Sequence, residues 1–205
     1  NKEVWDYHDG GGFHLMSTMY KDLVNNYGTS QSIEEFAKKG QLVGAMNSKT
    51  IWEVWNYNKL DYGDRYCSGL LFWYHNCPVR QVCARMWDWS LEPTASLYHT
   101  LHAQFDYLKN MVSVCNDYYR SFKNYKVKAD VYDLNSKKVF SYSQRIDIGE
   151  DEVLNDLFKI DFPSDITPVH FIRLGLSDEK GKEVASTFYW RSNAAYEGKE
   201  ILTGP

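Results

Sequence analysis

Hydrophobic positions change their period part-way along this chain. From Phe13 to Tyr27 the apolar residues Leu15, Met16, Met19, Leu23 and Val24 recur at helical spacing, and Gly28 ends the run. Ser32 followed by Glu35 forms a capping box, in which the hydroxyl takes an orphan amide and the carboxylate reaches back. Ile33, Phe36, Gly40, Val43, Ile51 and Val54 then predict a helix of about 25 residues, with Gly40 and Gly44 leaving room for a neighbouring backbone. Tyr66 to Tyr74 lacks helical period and is apolar on both faces, as a parallel strand covered on both sides would be. Pro93 suits the first turn of another helix, whose face Ala95, Leu97, Tyr98, Leu101, Phe105 and Leu108 would continue to Lys109.

After Asn110 the period becomes two. Strands are predicted at Val112–Val114, Tyr125–Tyr132, Lys138–Tyr142, Leu157–Ile160, His170–Leu176 and Val184–Tyr189. Turn-forming residues separate them at Asp133–Ser136, Gly149–Asp151, Pro163–Asp165 and Ser177–Gly181. Short antiparallel strands at these intervals read as an immunoglobulin-like β-sandwich over residues 111–205. Residues 1–110, by contrast, hold helices that need a partner surface and a single strand that needs neighbours, so they cannot close a layered domain alone. They read as part of an α/β fold. A (β/α)8 TIM barrel takes about 250 residues, of which this stretch would be the C-terminal portion.

Composition narrows the chemistry. Aromatic residues make up 16% of the chain, and Trp5, Trp52, Trp55, Trp73, Trp87 and Trp89 all precede residue 110. Such density suits either an aromatic core or a site that stacks the apolar faces of sugars. The formal net charge of -4 is shared by both halves, so neither offers the basic surface that nucleic acid or an anionic membrane requires. Apolar runs of about eight residues fall far short of a bilayer span, so no membrane partner is expected. The chain begins Asn1-Lys-Glu-Val4, which reads as a processed secreted protein or as an interior piece of a longer one.

Cysteines 67, 77, 83 and 115 lack zinc spacing and read as buried thiols. His99 and His102 would stand one turn apart on the predicted last helix, which is half a metal site, and no third ligand is near. No phosphate loop, nucleophile elbow or metalloprotease motif occurs, so neither cofactor nor metal is expected. Asp6 and Asp9 lie beside Gly10-Gly-Gly12, where three glycines disfavour regular structure and a carboxylate reads as solvated.

Trp5-Asp-Tyr-His8, Tyr27-Gly28, Glu34-Glu-Phe36, Gln41-Leu-Val43, Gly69-Leu-Leu-Phe-Trp73 with Asn76, and Phe188-Tyr-Trp190 together resemble the family 2 glycoside hydrolases. The nearest branch is that of exo-β-glucosaminidases and endo-β-mannosidases. The resemblance implies the end of a catalytic barrel followed by an immunoglobulin-like domain. It also implies a retaining mechanism, in which one carboxylic acid serves as general acid/base and a carboxylate about 5 Å away as nucleophile. By the same resemblance the chain starts after the seventh barrel strand, so both catalytic carboxylates would lie outside it. What remains is substrate binding: Trp73 as the floor of the cleaved subsite, His75 and Asn76 on the loop after it, and Trp5, Asp6 and His8 in the entry loop. Trp87-Asp-Trp89 with Arg80 and Arg85 reads equally as a sugar-contacting loop or a seal of the domain junction. The partners implied are a β-linked oligosaccharide or polysaccharide and the N-terminal portion of the barrel, in a periplasmic or secreted setting. The rival reading is a non-catalytic carbohydrate-binding or interaction module.

Overall fold

A computed structural model describes residues 16–59, 70 and 99–192. They fall into two compact units, one ending at Trp52 and the other comprising Glu53 onward together with the chain from His99. A single helix supplies residues to both.

Helix α1 (Met16–Tyr27) stops as its sequence dictates: Gly28 takes φ 71°, and its amide donates to the Val24 carbonyl at 2.9 Å. Helix α2 (Ile33–Asn58) opens with the predicted cap. The Glu35 amide donates to Ser32 Oγ at 3.1 Å, and Glu35 Oε2 accepts from the Gln31 amide at 2.7 Å. Its predicted length holds, and the predicted helical stripe is buried only in part. Val43 is buried, whereas Ile33, Ile51 and Val54 are exposed at 66, 49 and 57%. No described helix is long and apolar enough to cross a membrane.

The remaining chain forms two antiparallel sheets. One has strand order β1 (Leu101–Asp106), β2 (Met111–Asn116), β5 (Glu152–Lys159); the other runs β4 (Lys138–Ile148), β3 (Phe122–Asp133), β6 (Val169–Ser177), β7 (Glu183–Ser192). All six strands predicted after Asn110 are present. Asp133, Gly149–Asp151, Pro163 and Asp178–Gly181 make the turns, the tightest with Ser136, Asp151 and Gly181 at positive φ. Leu101, Ala103, Phe105, Val112, Val114 and Phe158 face Val127, Val131, Ile146, Ile172, Leu174 and Tyr189 across one shared core.

The predicted last helix is overturned where it is described: Leu101–Asp106 is strand β1. Leu101, Ala103 and Phe105 alternate as strand residues do, while Leu101, Phe105 and Leu108 also fit helical spacing. Both faces of β1 are buried, and Leu101-His-Ala-Gln-Phe-Asp106 alternates apolar and polar, so the strand pattern stood in the sequence beside the helical one. Asp106 then turns the chain, its Oδ1 accepting from the Leu108 and Lys109 amides at 2.7 and 3.1 Å, and Asn110 takes φ 60°. The sandwich therefore begins about ten residues earlier than the period change suggests. His99 and His102 do not share a helix face. The predicted strand at Tyr66–Tyr74, apart from Leu70, and the helix start at Pro93 lie outside the described residues.

Candidate functional site

The outer face of the three-stranded sheet carries polar side chains and is nevertheless buried. His102 and Gln104 on β1 are each 4% exposed, Ser113 on β2 is 1% exposed, and Cys115 is a buried thiol. The last turns of α2 cover this face with polar contacts. Gln104 Nε2 donates to the Glu53 carbonyl at 3.1 Å, and Asn155 Nδ2 donates to the Tyr57 carbonyl at 2.9 Å. The second bond caps a carbonyl that a helix ending at Asn58 leaves without an amide. Lys59, one residue past the helix, places its ammonium 2.6 Å from Asp117 Oδ1 and 2.5 Å from Asp151 Oδ1. There it also meets the negative end of the helix dipole. Burial opposes the charge on Lys59, but the bonds to Asp117 and Asp151 prevail and raise its pKa. At the rim Tyr57 Oη donates to Asp156 Oδ2 at 2.9 Å, with the Lys109 ammonium against both.

Tyr189 ties this junction to the opposite sheet. Its hydroxyl accepts the Phe105 amide at 3.0 Å and donates to Glu53 Oε1 at 2.5 Å. Two residues earlier on β7, Thr187 Oγ1 donates to the Ala103 carbonyl at 2.9 Å. Side chains of β7 thus satisfy the free edge of β1. Burial, then the neighbouring Glu53 carboxylate, push the Tyr189 pKa well up, so the phenol keeps the proton it donates. Burial likewise holds His102 down to about 4, leaving a neutral imidazole at neutral pH.

This arrangement is chemistry for attachment rather than turnover. The described carboxylates near it each serve a fixed partner: Glu53 the Tyr189 phenol, Asp117 and Asp151 Lys59, Asp156 Tyr57 and Lys109. No group of three metal-ligating side chains occurs among the described residues. An open depression of about 420 Å³ lies beside Phe122, Tyr125, Lys123 and Glu179 at one end of the sandwich. The carboxylate of its Asp178 is committed to the β6–β7 turn, accepting the Lys180 and Lys182 amides at 3.0 and 2.8 Å.

A second surface escaped the sequence reading. On the outer face of the four-stranded sheet, Lys138, Tyr132, Phe171 and Trp190 stand in one register row, and Ser141, Asp130, Arg173 and Phe188 in the next. Phe171 and Phe188 lie 5.7 Å apart at 23°, and Trp190 meets Phe188 edge-on at 6.5 Å. Phe188-Tyr-Trp190 carried the signal: aromatic residues two apart on a strand share a face. The six residues proposed to bind substrate, Trp5, Asp6, His8, Trp73, His75 and Asn76, all lie outside the described residues, as do Arg80, Arg85, Trp87 and Trp89.

No protein-family model matches the chain. The exo-β-D-glucosaminidase of Hypocrea jecorina is 24% identical over 207 residues, covering 92% of this chain and 22% of that protein. The mannosylglycoprotein endo-β-mannosidase of Lilium longiflorum is 21% identical over 196 residues, covering 91% of this chain and 20% of its own. The chain is a relative of exo-β-D-glucosaminidases and β-mannosidases. The resemblance to the family 2 glycoside hydrolases read from the sequence motifs thus holds over most of the chain. A solved complex of the Amycolatopsis orientalis exo-chitosanase with a nitrophenyl β-D-glucosamine matches in fold, with a TM-score of 0.84 at 21% identity, over 94% of this chain and 24% of that one. The chain nonetheless spans only about a fifth of the length of the glucosaminidases and mannosidase it matches.

Proposed function

We propose that this chain is the C-terminal part of a retaining β-glycosidase of the family 2 type, acting on β-linked hexosides such as glucosaminides or mannosides. Its first hundred residues or so supply the end of the (β/α)8 barrel, and an immunoglobulin-like sandwich follows from Leu101. Trp73, His75, Asn76, Trp5, Asp6 and His8 form part of the wall that binds the sugar. Both catalytic carboxylates belong to the upstream barrel strands, which are this chain's obligatory partner. The parent enzyme works in a periplasmic or secreted setting.

One observation carries the reading: α2 leaves Ile33, Ile51 and Val54, which share one side of the helix, exposed by 49 to 66%. Apolar surface of this kind marks a missing contact. A chain spanning a fifth of its relatives has that contact to seek. The matched relatives, named for glucosaminide and mannoside cleavage, support the choice of substrate class.

The test is complementation. The chain alone should release no nitrophenol from aryl β-glucosaminides or β-mannosides. Co-expressed with the upstream portion of its parent, it should co-purify through a large interface and hydrolyse one of them. Turnover by the chain alone would overturn the assignment of the carboxylates, and a soluble, inert monomer that ignores the upstream portion would overturn the barrel reading.

A further inference from the structure

The end of α2 is docked on the sandwich before Lys59 is counted. Gln104 and Asn155 donate to the Glu53 and Tyr57 carbonyls, and Tyr57 Oη reaches Asp156. Lys59 lies one residue past the helix, its amide donating to the Asn56 carbonyl at 3.2 Å. The side chains of Lys59 and Asp117 are 12 and 19% exposed, so water screens their attraction less than it screens a surface pair. The socket that receives the ammonium is built without it. Fully buried Asn116 accepts the Tyr118 amide at 3.0 Å and donates to the Arg120 carbonyl at 2.8 Å and the Gly149 carbonyl at 2.5 Å. The Asp151 amide donates to the Tyr118 carbonyl at 3.0 Å. These bonds brace the two turns that bear Asp117 and Asp151, and Lys59 takes no part in them.

Asp117 has a second grip. Its amide donates to the Thr100 carbonyl at 2.8 Å, one step beyond the β1–β2 ladder that pairs Leu101 with Asn116. One residue therefore holds the chain where it leaves α2, through a side chain, and where it re-enters the sandwich, through the backbone. Residues 60–99 run between these two points, and Trp73, His75 and Asn76 are among them. Joining the ends of such a segment cuts the number of conformations open to it. The backbone grip is part of the sheet, whereas the Lys59 grip can be removed by itself.

We propose that Lys59 is a positioning residue: docked on Asp117 and Asp151, it closes residues 60–99 into a loop pinned at both ends and so steadies Trp73, His75 and Asn76 for the sugar. The sugar-binding role of those three rests on the proposed function; the pin rests on the distances. Lys59 itself touches no substrate. It preorganises a wall whose ordering would otherwise be subtracted from the affinity for sugar.

Lys59→Met keeps the length of the side chain and loses its charge, Lys59→Arg keeps the charge, and Asp151→Asn removes one of the two anions. Hydrogen exchange of the full chain, read by mass spectrometry, should quicken about tenfold in peptides from residues 60–99 of Lys59→Met, with β3, β6 and β7 unchanged. Asp151→Asn should quicken the same peptides by less, and Lys59→Arg should retain most of the protection. In the complemented enzyme Lys59→Met should raise KM for the aryl glycoside about fivefold with kcat within about twofold, because binding is lost and the chemical step is not. Unchanged exchange in residues 60–99, or equal quickening throughout the sandwich, would overturn the pin. A fall in kcat at constant KM would make Lys59 a structural support and overturn the positioning role. Selective quickening with failed complementation would refute the glycosidase reading alone, and unchanged exchange with successful complementation would refute the pin alone.

Discussion

On the three-stranded sheet the outward residues His102, Gln104 and Ser113 are polar and buried under the end of α2. On the four-stranded sheet the outward residues Phe188 and Trp190 are aromatic and reach solvent. Hydrophobicity therefore predicts the wrong face as covered. The polar face is covered because its groups find specific mates: Gln104 and Asn155 take helix carbonyls, and Lys59 joins two aspartates. Buried polar groups are tolerated when they are satisfied, and they then fix one docking geometry. The aromatic row on the other sheet meets solvent at Phe188 and Trp190 instead.

The comparison can be broken at several points. The largest effect belongs to the core both faces share: Ile172→Ala should cost about 2–5 kcal/mol in chemical denaturation. Acid should strain the covered face next. His102 has an ordinary value of 6.5 that folding lowers to about 4, so the unfolded chain binds a proton the native state refuses. This term is absent well above pH 6.5 and grows as pH falls from 6.5 to 4, costing at most about 3 kcal/mol. His170, also lowered by burial, adds in the same direction. Replacing His102 with Asn should flatten that limb of a stability-versus-pH curve, and an unchanged slope would show that the imidazole does not titrate on unfolding as argued.

Smaller still is Tyr189→Phe, which removes one hydroxyl and leaves the Phe105 amide and the Glu53 carboxylate without it. About 1–3 kcal/mol should be lost in thermal melts. On the open face, Trp190→Ser and Phe188→Ser should shift stability by no more than about 0.5 kcal/mol. A loss comparable with Tyr189→Phe would mean that the aromatic face is covered and that the two faces do not differ as described.

The sandwich was legible where the strands alternate. β3, β6 and β7 carry core residues at every second position, and Asp133 and Asp178 mark their turns, so period and punctuation agreed. β1 was missed although Leu101-His-Ala-Gln-Phe-Asp106 alternates apolar and polar, because Leu97, Leu101, Phe105 and Leu108 also fit a helical face and six residues are too few to separate the two periods. The helical period of α2 was legible, but exposure is not a property of the helix alone; it depends on what lies against Ile33 and Ile51. The Tyr189–Glu53 bond joins residues 136 apart, and no local pattern announces such a contact. The proposed sugar-binding wall was read from motifs, and its residues lie outside those the structure describes.

The sealing of β1 by Thr187 and Tyr189 also sets a clock. Phe105 and Tyr189 are 84 residues apart, and a ribosome adding about 5–20 residues per second needs roughly 4 to 17 s to make that stretch. Throughout that interval β1 can pair with β2 while its other edge, with the Ala103 carbonyl and Phe105 amide, stays open to any passing strand. The most hazardous moment for this domain comes during synthesis, before its last strand arrives.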